Sequence, residues 1–133
     1  MKVAINKLEN IGNEKGAVFS ITTEAKEIPV FFRKKGTLFG NHYHTGSDKS
    51  NNPELIYFLQ GKVKFFAKDL DTNEKMEKEA EAPFELVIHP NITHAYIALE
   101  DVIFIEPRPT KYDKEKPDTH EERMINDKGE WIE

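Results

Sequence analysis

The sequence predicts a single all-β domain, either a sandwich or a barrel. Short runs of β-branched and aromatic residues recur at intervals of about 8 to 12 residues, and turn-forming Gly, Pro, Asn and Asp lie between them. No long helix with an apolar stripe is predicted before residue 107. A chain of 133 residues has the usual length of one domain.

Eight segments are rich in the residues that strands favour, and a ninth is ambiguous. The predicted strands cover residues 17–22, 28–33, 38–43, 54–60, 62–68, 84–88, 93–99 and 102–106. Residues 74–81 consist of helix-forming side chains without an apolar stripe, so we expect a solvated edge strand or a loop there. The segment 100–101 is the expected turn of the last hairpin.

The composition changes after residue 106. Pro107, Pro109 and Pro117 interrupt regular structure, and charged residues cluster between them and beyond. We therefore predict a barrel over residues 1–106 and a charged, proline-broken extension over residues 107–133. Trp131 and Ile132 near its end favour packing on the barrel or on a partner subunit over a free tail.

Composition also limits the class of function. Asp and Glu together number 24 against 19 Lys and Arg, and no basic face is visible, which argues against nucleic acid and anionic membranes as partners. The chain has no cysteine, so any metal must be bound by nitrogen and oxygen. No apolar run approaches the length of a membrane span, and the expected location is the cytoplasm.

A candidate metal site follows from the spacing of histidines. His42 and His44 project from the same face of one predicted strand, because side chains alternate along a strand. Glu54 on the next strand and His94 far along the chain would complete a four-residue site. The alternative is a coincidence of spacing or a site that has lost its metal. Nitrogen and oxygen ligands of this kind suit zinc, iron, manganese or nickel.

The spacing of glycines around these residues resembles the first motif of the cupin superfamily. Gly36 is followed after five residues by His42 and His44, and Glu54 is followed after six residues by Gly61. The gap between His44 and Glu54 is longer than is usual for the family, and its polar sequence predicts a longer hairpin loop. The resemblance implies a double-stranded β-helix, the jelly-roll barrel of cupins.

The second cupin motif is matched in part. His94 takes the place of its metal-binding histidine, and Asn91 takes the place of a turn glycine, since asparagine tolerates positive φ. Pro83 and Ala98 stand where the motif has its first glycine and its final asparagine, and His89 stands where proline is common.

Two further segments carry a narrower resemblance. Residues 40–44 and 112–119 look like the zinc-dependent epimerase domain, itself a cupin, of bifunctional capsular-polysaccharide enzymes. That resemblance implies proton abstraction next to the carbonyl of a nucleotide-linked keto sugar, with zinc as the Lewis acid. The same tail segment can equally be read as a solvated arm.

Two residues are candidates for catalysis. Tyr96 shares a face with His94 and could act as a general acid or orient the substrate, although a packed aromatic is the alternative. His89 is a second candidate acid or base, with a rim histidine as the alternative.

Three functions remain open from the sequence. The first is a metal-dependent isomerase or epimerase of a small carbohydrate or nucleotide-linked keto sugar, with zinc as the first choice of metal. The second is a cupin dioxygenase, and the third is a cupin that binds a small ligand without turnover. We also expect a homodimer, because small barrels with exposed strand edges often pair through them.

Overall fold

Ten strands in two antiparallel sheets form the fold of residues 1–132, the part of the chain that this computed structural model describes. The first sheet has the order β1-β7-β4-β9-β2 and the second the order β10-β3-β8-β5-β6. The strands are β1 (Val3–Lys7), β2 (Val30–Arg33), β3 (Leu38–Tyr43), β4 (Glu54–Gln60), β5 (Lys62–Asp69), β6 (Lys75–Glu81), β7 (Phe84–Ile88), β8 (Ile92–Ala98), β9 (Val102–Ile105) and β10 (His120–Glu121). The predicted all-β, cupin-type jelly roll is confirmed.

The core lies between the inner faces of the two sheets. Alternate residues of each strand point inward, as in β7, where Phe84, Leu86 and Ile88 are buried. Phe58 of β4 stacks on Phe84 and on Phe104, with ring centroids 4.7 and 4.8 Å apart. Each fully buried side chain of this size contributes about 1.5–3 kcal/mol relative to an exposed one.

The N-terminal region differs from the sequence-based expectation. Residues 17–22 form no strand, and Val18 and Phe19 are exposed. β-Branched and aromatic residues fit a half-buried sheet, but a strand also needs a neighbouring strand to pair with, and residues 17–22 have none. Strand β1 was missing from the predicted set, although Val3 and Ile5 alternate with the less apolar Lys2, Ala4 and Asn6. It pairs with β7 at the edge of the first sheet.

The ambiguous segment before residue 82 is the edge strand β6 of the second sheet. It pairs along its length with β5, and its Lys and Glu side chains are mostly exposed. Charged side chains on an edge strand oppose pairing with another chain. No helix long and apolar enough to cross a membrane occurs among residues 1–132.

The C-terminal extension lies along the second sheet. Its short strand β10 pairs with the end of β3, and Met124 and Ile125 are buried. Asn41, in the left-handed region at φ 61°, accepts hydrogen bonds from both of their backbone N–H groups through its side-chain oxygen. Trp131 packs edge-on against Phe66, with centroids 5.9 Å apart. The extension therefore buries apolar surface that the barrel alone would expose.

Candidate metal centre and cavity

Three histidines from neighbouring strands meet inside the barrel. A register shift in the pairing of β3 with β8 sets His42 opposite His94. The ring centroids of His42 lie 5.0 Å from His44 and 4.8 Å from His94, and those of His44 and His94 are 5.4 Å apart. One ring nitrogen of each histidine lies within 4.8 Å of the others, which is close enough for one metal ion to contact all three.

Glu54 reaches the same point from the opposite sheet. Its Oε2 atom is 3.0 Å from Nε2 of His44, and its Oε1 atom is 3.4 Å from Nε2 of His94. All four residues of the predicted ligand set therefore lie together, although they are far apart in the chain.

The outer nitrogens of two rings are fixed by hydrogen bonds. Nδ1 of His44 lies 2.6 Å from the carbonyl oxygen of Asp118, and Nδ1 of His94 lies 3.0 Å from that of Ile92. Because a carbonyl can only accept, both Nδ1 atoms carry a proton and donate it. Each Nε2 atom is thus directed toward the centre of the cluster, an arrangement typical of metal-binding histidines.

Unpartnered polar atoms remain at the centre of the cluster. Nε2 of His44 and Oε1 of Glu54 are buried without a hydrogen bond from any described residue. Buried polar atoms of native proteins are rarely left without a partner. Three imidazoles and one carboxylate are a suitable donor set for zinc or ferrous iron, so the residues present fit a divalent metal ion.

The protonation of the cluster reflects the crowding of these groups. Burial, and then the neighbouring His94 and His44, lower the pKa of His42 to about 3. Burial opposes charge on His44 as well, but the adjacent carboxylate of Glu54, 3.0 Å from Nε2, prevails and raises the His44 pKa to about 9. The Glu54 pKa is lowered despite burial, because His44, His94 and His42 surround the carboxylate. The carboxylate is thus anionic at neutral pH, as a metal ligand must be.

A cavity of about 460 Å³ opens above the cluster. Its apolar wall is a stack of aromatic rings: Phe31 lies on Phe104 with centroids 4.8 Å apart, and Phe39 lies on Tyr96 at 4.7 Å. The volume suits a small organic ligand, and an apolar wall with a few polar groups is usual for such sites.

Tyr96 lies between the aromatic wall and the histidines. It is buried, its ring is edge-on to His94 at 6.0 Å, and its hydroxyl has no hydrogen-bond partner among the described residues. Burial, followed by the charges of Glu54 and Glu106, raises the Tyr96 pKa well above its usual value. The hydroxyl therefore remains protonated and can donate to a ligand.

His89, the other predicted catalytic residue, is not brought to this cavity. It lines a separate depression with Lys2, Asp69, Asp71 and Asn91. It follows the last residue of β7, and its backbone N–H donates to the carbonyl of Lys2.

Among the charged residues of the cavity wall that sequence reasoning missed are Arg33, Glu106 and Arg108. Burial and then the charge of Glu54 raise the pKa of Glu106 to about 8. The alternation of side chains along a strand could have identified Arg33 and Glu106. Arg33 follows Phe31 by two residues, and Glu106 follows Phe104 by two, so each shares a face with a cavity aromatic.

The loop between His44 and Glu54 is bound to the extension. Asp48 forms an ion pair with Arg108 and accepts a hydrogen bond from the Thr110 hydroxyl, and Ser50 is hydrogen-bonded to Thr110 as well. Arg108, Tyr112, Asp118 and Thr119 of the extension all line the cavity. The predicted longer loop is therefore part of the cavity rim.

No family model matches the chain, and no curated protein matches it significantly. Solved structures do match. The dTDP-4-dehydrorhamnose 3,5-epimerase from Sulfolobus tokodaii superposes with a TM-score of 0.72 at 18% identity, covering 98% of this chain and 81% of that one. A 3,4-ketoisomerase from Helicobacter canadensis gives 0.71 at 13% identity and 90% coverage of both chains.

A third similar structure is QdtA, a sugar 3,4-ketoisomerase from Thermoanaerobacterium thermosaccharolyticum in complex with TDP. It gives a TM-score of 0.68 at 20% identity and covers 88% of this chain and 85% of that one. At such identities the similarity shows the fold alone. The chain shares the cupin-type jelly roll of these sugar-modifying enzymes.

Proposed function

We propose that this protein is a metal-dependent isomerase or epimerase of a nucleotide-linked keto sugar. The observation that carries the proposal is the convergence of His42, His44, His94 and Glu54 beneath a cavity that also contains Tyr96. The solved structures of the same fold include a dTDP-4-dehydrorhamnose 3,5-epimerase and a sugar 3,4-ketoisomerase in complex with TDP, which supports this class of substrate.

The four converging residues would hold one divalent ion, with zinc as the first choice. When bound, such an ion supplies Lewis-acid polarisation of a substrate carbonyl. The remaining tasks fall to side chains of the cavity: binding the substrate, excluding water, and moving a proton.

Epimerisation or isomerisation next to a carbonyl requires that a proton leave one carbon and return to that carbon or its neighbour. Glu106 lines the cavity, where burial raises the pKa of its carboxylate and makes it a stronger base than an exposed glutamate, able to accept such a proton. The hydroxyl of Tyr96, which has no partner among the described residues, donates a hydrogen bond to the substrate oxygen on which negative charge develops. For isomerisation, Glu106 returns the proton to the neighbouring carbon, and the proton of the substrate hydroxyl passes to the former carbonyl oxygen. For epimerisation, a proton reaches the same carbon from the opposite face. Neither reaction consumes an oxidant or a second substrate.

Arg33 is suited to the phosphate groups of a nucleotide-linked substrate. Its guanidinium lies 5.4 Å from the Phe31 ring centroid and 5.6 Å from that of Phe39, and it forms no ion pair within residues 1–132. Arg108, in contrast, is already paired with Asp48. A guanidinium held against aromatic rings retains donors for a phosphate.

The reaction can be followed by proton NMR in deuterated water. We expect the zinc-loaded protein to exchange hydrogen next to the carbonyl of TDP-4-keto-6-deoxyglucose, which is bound in one of the similar structures, and to convert it to an isomer. Removal of zinc or the substitution His42→Ala should abolish exchange. No exchange with any of a panel of nucleotide-linked 4-keto sugars would exclude this function.

A dioxygenase is the second candidate, because three histidines and one glutamate are also a suitable donor set for ferrous iron. Oxygen consumption by the iron-loaded protein with a bound organic substrate belongs to this function alone. Tight binding of a sugar nucleotide without turnover under either condition would instead indicate a ligand-binding cupin.

We also propose a homodimer. Val30 and Phe32 on the edge strand β2 are 53% and 67% exposed. They lie on the outer face of the strand, opposite to the face of Phe31, which points inward. A second copy covering this face would remove that apolar surface from water. Sedimentation at micromolar concentration should give a dimer mass, and Phe32→Asp should give a monomer; a monomeric wild-type protein would contradict the proposal.

A further inference from the structure

The carbonyl oxygen of Asp118 accepts the shortest hydrogen bond at the metal centre. It lies 2.6 Å from Nδ1 of His44, a residue 74 positions earlier in the chain. The side-chain amide of Asn51 donates to the same oxygen at 3.4 Å. Asp118 belongs to the extension and is only 5% exposed, although most of residues 111–117 are exposed.

The carboxylate of Asp118 anchors this carbonyl to the loop that follows His44. Oδ1 accepts from the Thr45 backbone N–H at 2.9 Å and from its hydroxyl at 2.8 Å. Oδ2 accepts from the N–H groups of Gly46 at 2.9 Å and Asp48 at 3.3 Å. Burial alone would raise the Asp118 pKa, but these hydrogen bonds lower it, so the carboxylate remains charged.

His94 is oriented differently. Its Nδ1 atom donates to the carbonyl of Ile92, two residues away in the same strand. Formation of β8 therefore fixes the His94 ring without help from any other segment. The orientation of His44, in contrast, depends on the C-terminal extension, through a residue 74 positions further along the chain.

We propose that Asp118 is a positioning residue that makes the C-terminal extension a component of the metal centre. Its carbonyl holds His44 with Nδ1 protonated and Nε2 directed at the ion, and its carboxylate holds the carbonyl in place. The inference rests on the metal site of the proposed function. Hydrogen-bonded partners of ligating histidines typically change metal affinity by about 10- to 100-fold when they are removed.

The same coupling acts in reverse. If docking of the extension favours metal binding, metal binding favours docking by the same factor. Trypsin can cleave after Lys111 and Lys114, which lie in the exposed segment between the barrel and Asp118. Zinc should therefore slow cleavage there in the wild-type protein and have less effect in Asp118→Ala.

The experiment compares Asp118→Ala and Asp118→Asn with Asp113→Asn. Asp113 is an exposed aspartate of the same extension and bonds only to the nearby N–H groups of Glu115 and Lys116. Titration with zinc should show affinity about 10- to 100-fold weaker for Asp118→Ala. Asp118→Asn, which keeps one acceptor oxygen, should recover part of the loss, and Asp113→Asn should equal wild type.

A second readout does not depend on metal affinity. In the metal-free protein, the Nδ1 proton of His44 should give a slowly exchanging downfield NMR signal because Asp118 accepts it. That signal should be lost in Asp118→Ala and kept in Asp113→Asn. If Asp118→Ala does not fold, Thr45→Ala, which removes one of the five hydrogen bonds to the carboxylate, should weaken zinc binding and speed exchange of this proton to a smaller extent.

The outcomes separate the two proposals. A wild-type protein that binds no zinc but shows the protected His44 proton would exclude the proposed metal site and leave the positioning role standing. Zinc affinity unchanged in Asp118→Ala, or a His44 proton equally protected in that variant, would overturn the positioning role even if zinc binds.

Discussion

Gly40 on β3 lies directly against the main chain of His94 on β8. A Cβ atom at residue 40 would be 2.8 Å from the His94 carbonyl oxygen, and the residue has φ of 89°, a conformation that side chains disfavour. The close approach occurs where the strand register shifts before His42. We expect Gly40→Ala to lower the free energy of unfolding by about 1–3 kcal/mol, measured by chemical denaturation, and to weaken zinc binding. An unchanged zinc affinity would show that the register shift is not needed to bring the histidines together.

The placement of the histidines predicts a contrast between two single substitutions. His94→Ala removes a ring that contacts the centre of the cluster, whereas His89→Ala alters a residue in a separate depression. Elemental analysis of the purified proteins should show metal lost in the first variant and retained in the second, with turnover following the same pattern. Equal metal content in both variants would contradict the ligand assignment.

The stability of the metal-free protein should depend on pH in both directions. His42 has a pKa lowered to about 3, so the unfolded chain binds more protons between that value and 6.5, and stability falls as the pH drops through this range. His44 has a pKa raised to about 9, so the stability it contributes is lost as the pH rises from 6.5 toward 9.

Thermal unfolding at pH 5, 6.5 and 8.5 tests this expectation, with and without zinc. The metal-free protein should be most stable near the middle of the range as far as these two groups are concerned. Zinc should stabilise most at pH 8.5, because the ion replaces the proton that His44 loses there. Stabilisation by zinc that is greatest at pH 5 would contradict the assignment of His44 as a ligand.

Tyr96→Phe separates catalysis from stability. The hydroxyl has no partner among the described residues, so its removal breaks no internal hydrogen bond, and the free energy of unfolding should stay within about 1 kcal/mol or rise. Turnover should fall about 10²- to 10⁴-fold, the usual contribution of a positioned acid. Normal turnover with unchanged stability would indicate a packed aromatic, the alternative that the sequence left open.

The sequence was most informative where potential metal ligands follow the two-residue period of a strand. A histidine pair at a spacing of two residues indicates a shared face whatever the rest of the fold, and His42 and His44 do share one. Asn91 adopts φ of 64°, as its place in the turn before β8 predicted. Residues 17–22 show the limit of strand propensity, since pairing also needs a free strand edge that the local sequence does not describe.

The contribution of Asp118 could not be predicted in this way. In the sequence it is one charged residue among many in a proline-broken segment, and the resemblance of residues 112–119 to an epimerase domain gave it no specific role. Its role depends on a contact across 74 residues and on a main-chain carbonyl, which any residue possesses. Periodicity describes local faces of strands, so it cannot detect a partner of this kind.

The hydrogen bonds that join Asp48 and Ser50 to Arg108 and Thr110 affect how the protein can be shortened. A polypeptide ending at residue 106 would retain both sheets apart from β10, yet the loop that leads from the second histidine to the glutamate would lose its ionic and hydroxyl partners. Protein engineers seeking a minimal scaffold should therefore keep residues 107–133, about the last fifth of the chain, and place any fusion or affinity tag where it leaves these contacts between loop and extension intact.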